Sequence, residues 1–228
     1  MIKKGLTGNQ LKLIALVTMT IDHVGLMLLP QYDILRIIGR LAFPIYAWMI
    51  AEGSRHTRSL PRYLGSVAAV AALCQIVYFA AMGSVAQSIL VTFSVSIGLI
   101  ALLRRALDEN TVLSRVLAGA ALLAVLFATE LLPGLLRGTD FSVEYGFLGV
   151  MLPVCVYFGK TMPHRLCLAA VILLLMGWDF GAVQWYALLA LPLLALYNGQ
   201  RGRGKLKYLF YFYYPAHLAA IYAIGLIL

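Results

Sequence analysis

"LKLIALVTMTIDHVGLMLLP", residues 11–30, decides how the rest of the chain must be read. Twenty residues of helix rise about 30 Å, the thickness of a bilayer's hydrocarbon core. Asp22 and His23 stand side by side inside this apolar run, with Asp22 roughly 16 Å along it. A charged group at such depth costs at least about 2.5–3.5 kcal/mol on insertion scales, so it faces a bundle interior and has a partner.

The same character extends over the whole chain. Of its 228 residues, 62% are hydrophobic and 12% charged, whereas soluble domains carry about a quarter charged residues. Mean hydropathy is +0.90. The fold class expected is all-α, a polytopic integral membrane helical bundle. Candidate spans fall at 11–30, 34–54, 63–82, 88–104, 112–132, 144–159, 165–179, 183–197 and 208–228, about nine in all. No internal repeat, low-complexity tract or long linker divides them, so residues 1–228 read as a single domain. Met1 to Lys4 is basic, but the apolar run that follows is too long, and too polar at Asp22 and His23, for a cleavable signal. Cys74, Cys155 and Cys167 all lie in apolar runs without CxxC spacing and read as buried small hydrophobes; no metal site is expected.

A net charge of +9 would suggest nucleic acid in a soluble protein. Here the basic residues sit in short clusters between apolar runs, which is an orientation signal, and the implied partners are membrane lipids rather than nucleic acid. Arg55, Arg58 and Arg62 form one cluster, and Arg104, Arg105 and Arg115 a second. Lys160 and Arg165 form a third, and Arg201, Arg203, Lys205 and Lys207 a fourth. Non-basic loops alternate with them. The positive-inside rule then puts the N-terminus in the cytoplasm and the C-terminus outside.

Arg36 and Arg40 break that alternation, because they follow the short outer connection "QYD". Spaced i,i+4, they share one helix face. The short connection makes spans one and two antiparallel neighbours, so Asp22, His23, Arg36 and Arg40 can meet. One reading makes His23 a general base or proton shuttle, since an imidazole ordinarily titrates near about pH 6.5. The other is an Asp–Arg pair that staples two helices, with His23 bonded to a carbonyl. Adjacent helix positions point about 100° apart, so Asp22 does not hold the His23 ring directly.

Four further places carry chemistry-bearing residues. In "KYLFYFYYPAHLAAIY", Pro215 frees a carbonyl one turn back, and His217 stands i+4 from Tyr213 and i+3 from Tyr214, within reach of a phenol hydroxyl. An interfacial aromatic belt accounts for the first tyrosines but not for the deeper His217. In "YNGQRGRGK", Gly199, Gly202 and Gly204 exceed what orientation requires; such a loop suits either a phosphate or a plain turn. Asp140 and Glu144, in an outer segment, are acidic groups able to meet a cationic substrate or simply a solvated loop. Glu52, three and four residues before Arg55 and His56, has ordinary ion-pair spacing.

Taken together, these segments resemble the TraX family, membrane proteins associated with N-terminal acetylation of conjugative pilin. The matching pieces are "KLIALVTMTIDHVG", "LRIIGRLAFPIYAWMIAEG" with "HTRSLPRYL", "YGFLGVML", "LLALPLLALYNGQRG" and "KYLFYFYYPAHL". The layout is similar to that of transmembrane acyltransferases, which carry acetyl from cytoplasmic acetyl-CoA to an acceptor across a membrane.

The resemblance implies acetyl-CoA as donor, an amine or hydroxyl acceptor with pilin as one case, and a bacterial inner membrane as location. It implies a catalytic group of His23, Asp22, Arg36, Arg40 and His217, with His217 as a rival base nearer the cytoplasmic side. With such a donor, the basic loops at Arg58, Arg62, Arg201, Arg203 and Lys205, together with the shared positions Asn198, Gly199 and Tyr214, would bind acetyl-CoA, and the outer acidic residues Asp140 and Glu144 the acceptor. Two other functions stay open: a proton-coupled transporter using Asp22 and His23 as a relay, and a non-catalytic assembly factor for pili or surface polymers.

Overall fold

The computed structural model describes residues 5–202 and 207–227, so the expectations placed on Arg203 and Lys205 lie outside the described residues. Its elements, in chain order, are α1 (Gly8–Met27), α2 (Asp33–Gly39), α3 (Ala42–His56), α4 (Leu60–Met82), α5 (Ile89–Glu109) and α6 (Val112–Leu126). A π-helical turn (Phe127–Leu131) leads into α7 (Leu132–Leu135). Then come α8 (Gly146–Phe158), α9 (Met162–Phe180), a 3-10 helix (Ala182–Leu189), α10 (Ala190–Ala195) and α11 (Lys207–Gly225). The described residues form no named strand, only two isolated bridges.

Six helical stretches among the described residues are long and apolar enough to cross a membrane: Gly8–Met27, Asp33–His56, Leu60–Ala80, Ile89–Glu109, Val112–Leu135 and Met162–Phe180. Large apolar side chains crowd their outer surfaces, with Ile76 67% and Leu123 68% exposed. An apolar exterior of that extent suits lipid rather than water, and the chain is an all-helical membrane protein.

Two expected spans are short helices. Helix α8 has 13 residues, ending at Gly159. The 183–197 segment opens as eight residues of 3-10 helix before six of α-helix. The greater 3-10 rise brings that pair to about 25 Å.

The chain divides into two compact units, residues 1–49 with 160–228, and residues 50–159, the division falling within α3. In the first, α1 starts from a capping box: Thr7 Oγ1 accepts from Gln10 N at 3.3 Å while Gln10 Oε1 accepts from Thr7 N at 2.8 Å. This reciprocal pair satisfies two amides that a helix start leaves open. Leu11, Ala15, Ile45, Trp48, Leu173, Met176 and Leu194 are buried, and the Arg165 guanidinium lies 4.4 Å from the Trp48 ring centre. Helix α2 returns antiparallel to α1. Beside Gly25, an added Cβ would fall 2.6 Å from Leu35 Cβ, so a small residue lets the two backbones approach. Gly181, at φ +88°, turns the chain out of α9 into the 3-10 helix, where Trp185 packs over Gly177. Helix α11 runs parallel to α1, since Thr20 meets Tyr213 and, further along both, His23 meets His217.

The second unit is built around Leu99, Ile100, Val150 and Val154. Polar side chains lock its helices: Ser96 Oγ donates to Val150 O and Thr92 Oγ1 to Glu144 O, at 2.9 and 2.8 Å. In the π-turn, Glu130 Oε1 accepts from Phe147 N at 2.7 Å, an anion at the start of α8 where the helix dipole favours it. Arg55 donates from Nε to Tyr157 O at 2.9 Å, the opposite charge at the other end of the same helix.

All three cysteines are free thiols. Cys74 is buried as expected, Cys155 partly so, while Cys167 lies on the outer surface, where a thiol in contact with lipid behaves as a small apolar group.

Candidate functional site

Helices α1 and α2 bring three charges together. Asp22 Oδ2 accepts from Arg36 Nη1 at 2.7 Å, and both Asp22 oxygens accept from Arg40 Nη2, at 2.9 and 3.1 Å. The i,i+4 spacing of the arginines sets both guanidiniums on the carboxylate. Arg36 Nη1 also reaches the Asp22 carbonyl at 3.3 Å, and Arg40 Nε donates to Arg36 O at 3.4 Å. One carboxylate therefore faces two guanidiniums, leaving a net single positive charge. Gly39 makes the arrangement possible, because a Cβ there would fall on the Asp22 carboxylate. Gly39→Ala should push Asp22 off its partners and lower stability by about 1–3 kcal/mol. Thermal unfolding in detergent measures this; an unchanged midpoint would contradict so tight an approach.

His23 points elsewhere, to α11. Its Nδ1 is 2.9 Å from Met19 O and 3.3 Å from His217 Nε2, while His217 Nδ1 is 2.9 Å from Tyr213 O. Carbonyl oxygens only accept, so these partners place a proton on Nδ1 of each ring. His23 Nδ1–H then donates to Met19 O and leans toward the His217 Nε2 lone pair. In the neutral ring of His23, Nε2 is then the nitrogen with the lone pair. The rings meet edge to face at 4.9 Å.

This corrects two expectations. His217 does not stand at another depth but lies in contact with His23. Its ring is held by the Tyr213 carbonyl rather than by a phenol hydroxyl. Tyr213 stacks on His217 with centroids 5.2 Å apart and its hydroxyl bonds Thr20 Oγ1 at 2.8 Å. Thr20 Oγ1 donates its own proton to Leu16 O, so Tyr213 is the donor. Tyr214 presents an edge to His217 at 5.6 Å.

The glycine-rich loop docks on the start of α1. Gly8 N and Asn9 N donate to Gln200 O and Arg201 O, at 2.8 and 2.9 Å. Asn198 N donates to Leu6 O at 2.9 Å, and Asn198 Oδ1 accepts from Gln200 N at 2.9 Å. Gly199 and Gly202 have φ of +76° and +90°, where side chains are disfavoured, and a Cβ on Gly202 would strike Thr7. The turn thus has its own need of both glycines. Arg201 stands exposed beside Lys12 of α1, close enough for the two cations to repel.

The other candidates belong to the second unit. Arg58 and Arg62 are exposed at the start of α4. Asp140 accepts from Ser84 Oγ and, at 2.9 Å, from Val85 N, bonds that hold its carboxyl below the usual carboxylate range. It staples two loops. Glu144 is tied through its backbone, N to Gln87 O and O from Thr92. Glu52 O accepts from His56 Nδ1 at 2.9 Å.

Gln184 was not among the expected site residues. It is 2% exposed, and its Oε1 accepts from Arg40 Nη1 at 3.3 Å. The signal was present: a lone amide in the apolar run "AVQWYALLALPLLA" needs a polar partner. Thr20, likewise overlooked, carries no comparable signal, since a helical threonine satisfies itself on the preceding turn.

Residues 7–225 match the TraX protein family. The chain is 26% identical over 241 aligned positions to a probable fimbrial assembly protein, FimC of serogroup H1, from Dichelobacter nodosus, with 93% of each chain covered. A stretch of 38 residues is 53% identical to an uncharacterized protein of Rickettsia prowazekii (strain Madrid E), 17% of this chain and 15% of that one. No solved structure matches. The match to the family model spans nearly all of the helical chain, both histidines and the Asp22 cluster included, and the chain belongs to the TraX family.

Proposed function

We propose that this chain is a membrane acetyltransferase of the bacterial inner membrane. It moves acetyl from cytoplasmic acetyl-CoA to an amine, such as a pilin N-terminus, or to a hydroxyl. The observation that carries this reading is the His23–His217 pair, whose hydrogen bonds leave His23 Nε2 unprotonated within a membrane bundle. The fimbrial assembly name of the Dichelobacter relative fits pilin as acceptor, and fits a non-catalytic assembly role equally; the experiment below separates them.

His23 Nε2 takes the proton of the acceptor nitrogen as that nitrogen attacks the thioester carbonyl carbon. As the carbon–sulfur bond breaks, His23 returns the proton to the departing thiolate, so the histidine ends as it began. His217 Nε2 draws on the His23 Nδ1 proton and so raises the basicity of the working nitrogen. The net positive charge around Asp22 favours the negative charge that develops on the acyl oxygen. Lys12 and Arg201, crowded at the start of α1, suit the phosphates of the donor, since like charges held together favour an anion between them.

The parallel course of α1 and α11 supports termini on opposite faces. With the basic loops, it favours a cytoplasmic N-terminus, an outer C-terminus and nine crossings.

The test is transfer of labelled acetyl from acetyl-CoA to peptides with a free N-terminal amine, and to alcohols, by protein purified in lipid nanodiscs. Transfer should be measurable, and Arg201→Ala should raise the KM for acetyl-CoA about tenfold, the worth of one charge-assisted hydrogen bond. Absence of transfer to every acceptor would leave the assembly role.

A further inference from the structure

We propose that Gln184 is a catalytic residue whose side-chain amide binds the oxygen of the acyl group being transferred. This rests on the acetyltransferase reading and assigns the oxyanion donor within it.

The local structure fixes where Gln184 can stand. Gly181 turns the chain at φ +88°, and Gln184 N donates back to Gly181 O at 3.0 Å, the first turn of the 3-10 helix. The side chain enters the Asp22 network, where Oε1 accepts from Arg40 Nη1 at 3.3 Å. A guanidinium has only donors, so the end facing Arg40 must be the oxygen and the other end the NH2 group. That NH2 is enclosed, on a residue 2% exposed, and has no acceptor among the described residues. Four buried side-chain polar atoms among the described residues share this condition, on Trp48, Ser54, Ser88 and Gln184. Only Gln184 is joined to the charged network.

Arg40 is a poor oxyanion donor by comparison. Its Nη2 is committed to both Asp22 oxygens, its Nη1 to Gln184 and its Nε to Arg36 O. What it can do is act through the amide. A cation on Oε1 draws electron density from the amide and strengthens Nε2–H as a donor. The matching ligand atom is an acceptor that is neutral on arrival and becomes negative, which describes a thioester carbonyl oxygen under attack. The surplus positive charge of the network favours the same change, and Asp22 stands one residue from His23 on α1. When the acceptor nitrogen bonds to the carbonyl carbon, the π pair moves onto the oxygen and the Gln184 N–H bond tightens. When the carbon–sulfur bond breaks, the pair returns and that bond relaxes. His23 holds the acceptor's proton and passes it to the thiolate.

Two variants and one spectrum test this. Gln184→Glu keeps the length and the acceptor for Arg40 but loses the donor; Gln184→Met loses both. In acetyl transfer, each should lower kcat by about 10²–10³ with KM for acetyl-CoA within about threefold, and Gln184→Glu should keep the wild-type unfolding temperature. Isotope-edited infrared spectra of carbon-13 acetyl-CoA bound to the wild type should show the carbonyl band below its position in free acetyl-CoA. In both variants it should return toward that position. A wild-type protein that transfers acetyl while either variant keeps kcat within threefold removes Gln184 from the mechanism and leaves the enzyme reading intact. An unshifted band in the wild type does the same without recourse to a variant. A wild type that transfers nothing overturns both.

Discussion

His23→Ala is expected to lower acetyl transfer about a thousandfold, the upper-middle range for loss of a general base. His217→Ala should cost about ten- to a hundredfold. The order follows from the protons. Both rings donate from Nδ1 to a carbonyl one turn back, so each has a lone pair at Nε2. That of His217 is directed at His23 Nδ1, whereas that of His23 is not used in holding the pair together. Under the proposed mechanism His23 therefore meets the acceptor, and His217 positions and polarises it. His217→Gln, which offers an amide in place of the ring, should recover part of the loss, whereas His23→Gln should not, because an amide is no base at neutral pH. Steady-state kcat for the four variants decides the matter, and a larger loss in His217→Ala than in His23→Ala would reverse the roles. A second experiment separates base from nucleophile. Protein mixed with acetyl-CoA and no acceptor, quenched rapidly and digested, carries an acetyl group on His23 only if the ring itself is acylated.

The fold was legible because bilayers leave helices few alternatives. The apolar run at 11–30 and the loop charges announced a helical membrane protein, and the misplaced Arg36 and Arg40 announced the partners of Asp22. What stayed hidden was whatever depended on helices far apart in sequence. His23 and His217 lie 194 positions apart, and nothing within either segment says that α1 and α11 run side by side with those two residues level. Depth counted along each helix placed them apart, because such counting carries no information on the register between two helices that are not consecutive. The loop glycines are ambiguous for a related reason. Positive φ and close approach to Thr7 explain Gly199 and Gly202, and glycines for a turn look the same in sequence as glycines for a phosphate. Gln184 was readable as a polar residue out of place, but its partner Arg40 lies 144 positions away, and the 3-10 geometry that aims it leaves no periodic mark.

Asp22→Asn is expected to be the most damaging substitution for stability, by about 3–5 kcal/mol. Two guanidiniums share the Asp22 carboxylate, with side-chain exposures of 27% and 12% against 16% for Asp22 itself. Removing the negative charge leaves two half-buried cations side by side with no anion between them, and the penalty of an uncompensated charge exceeds the worth of the pair it replaces. The remedy is therefore to remove the cations as well. Asp22→Leu combined with Arg36→Met and Arg40→Met should recover most of the unfolding temperature lost in Asp22→Asn, since an apolar trio of similar volume packs without any desolvation cost. If the cluster were only a staple between α1 and α2, the triple variant would also recover activity. Under the mechanism argued above it should not, because the net positive charge that favours the acyl oxyanion is gone and Gln184 Oε1 has lost Arg40. Thermal unfolding and acetyl transfer measured on the same nanodisc preparations keep the two roles apart. A triple variant that is both stable and active would make Asp22, Arg36 and Arg40 architecture alone and leave the chemistry to the histidines.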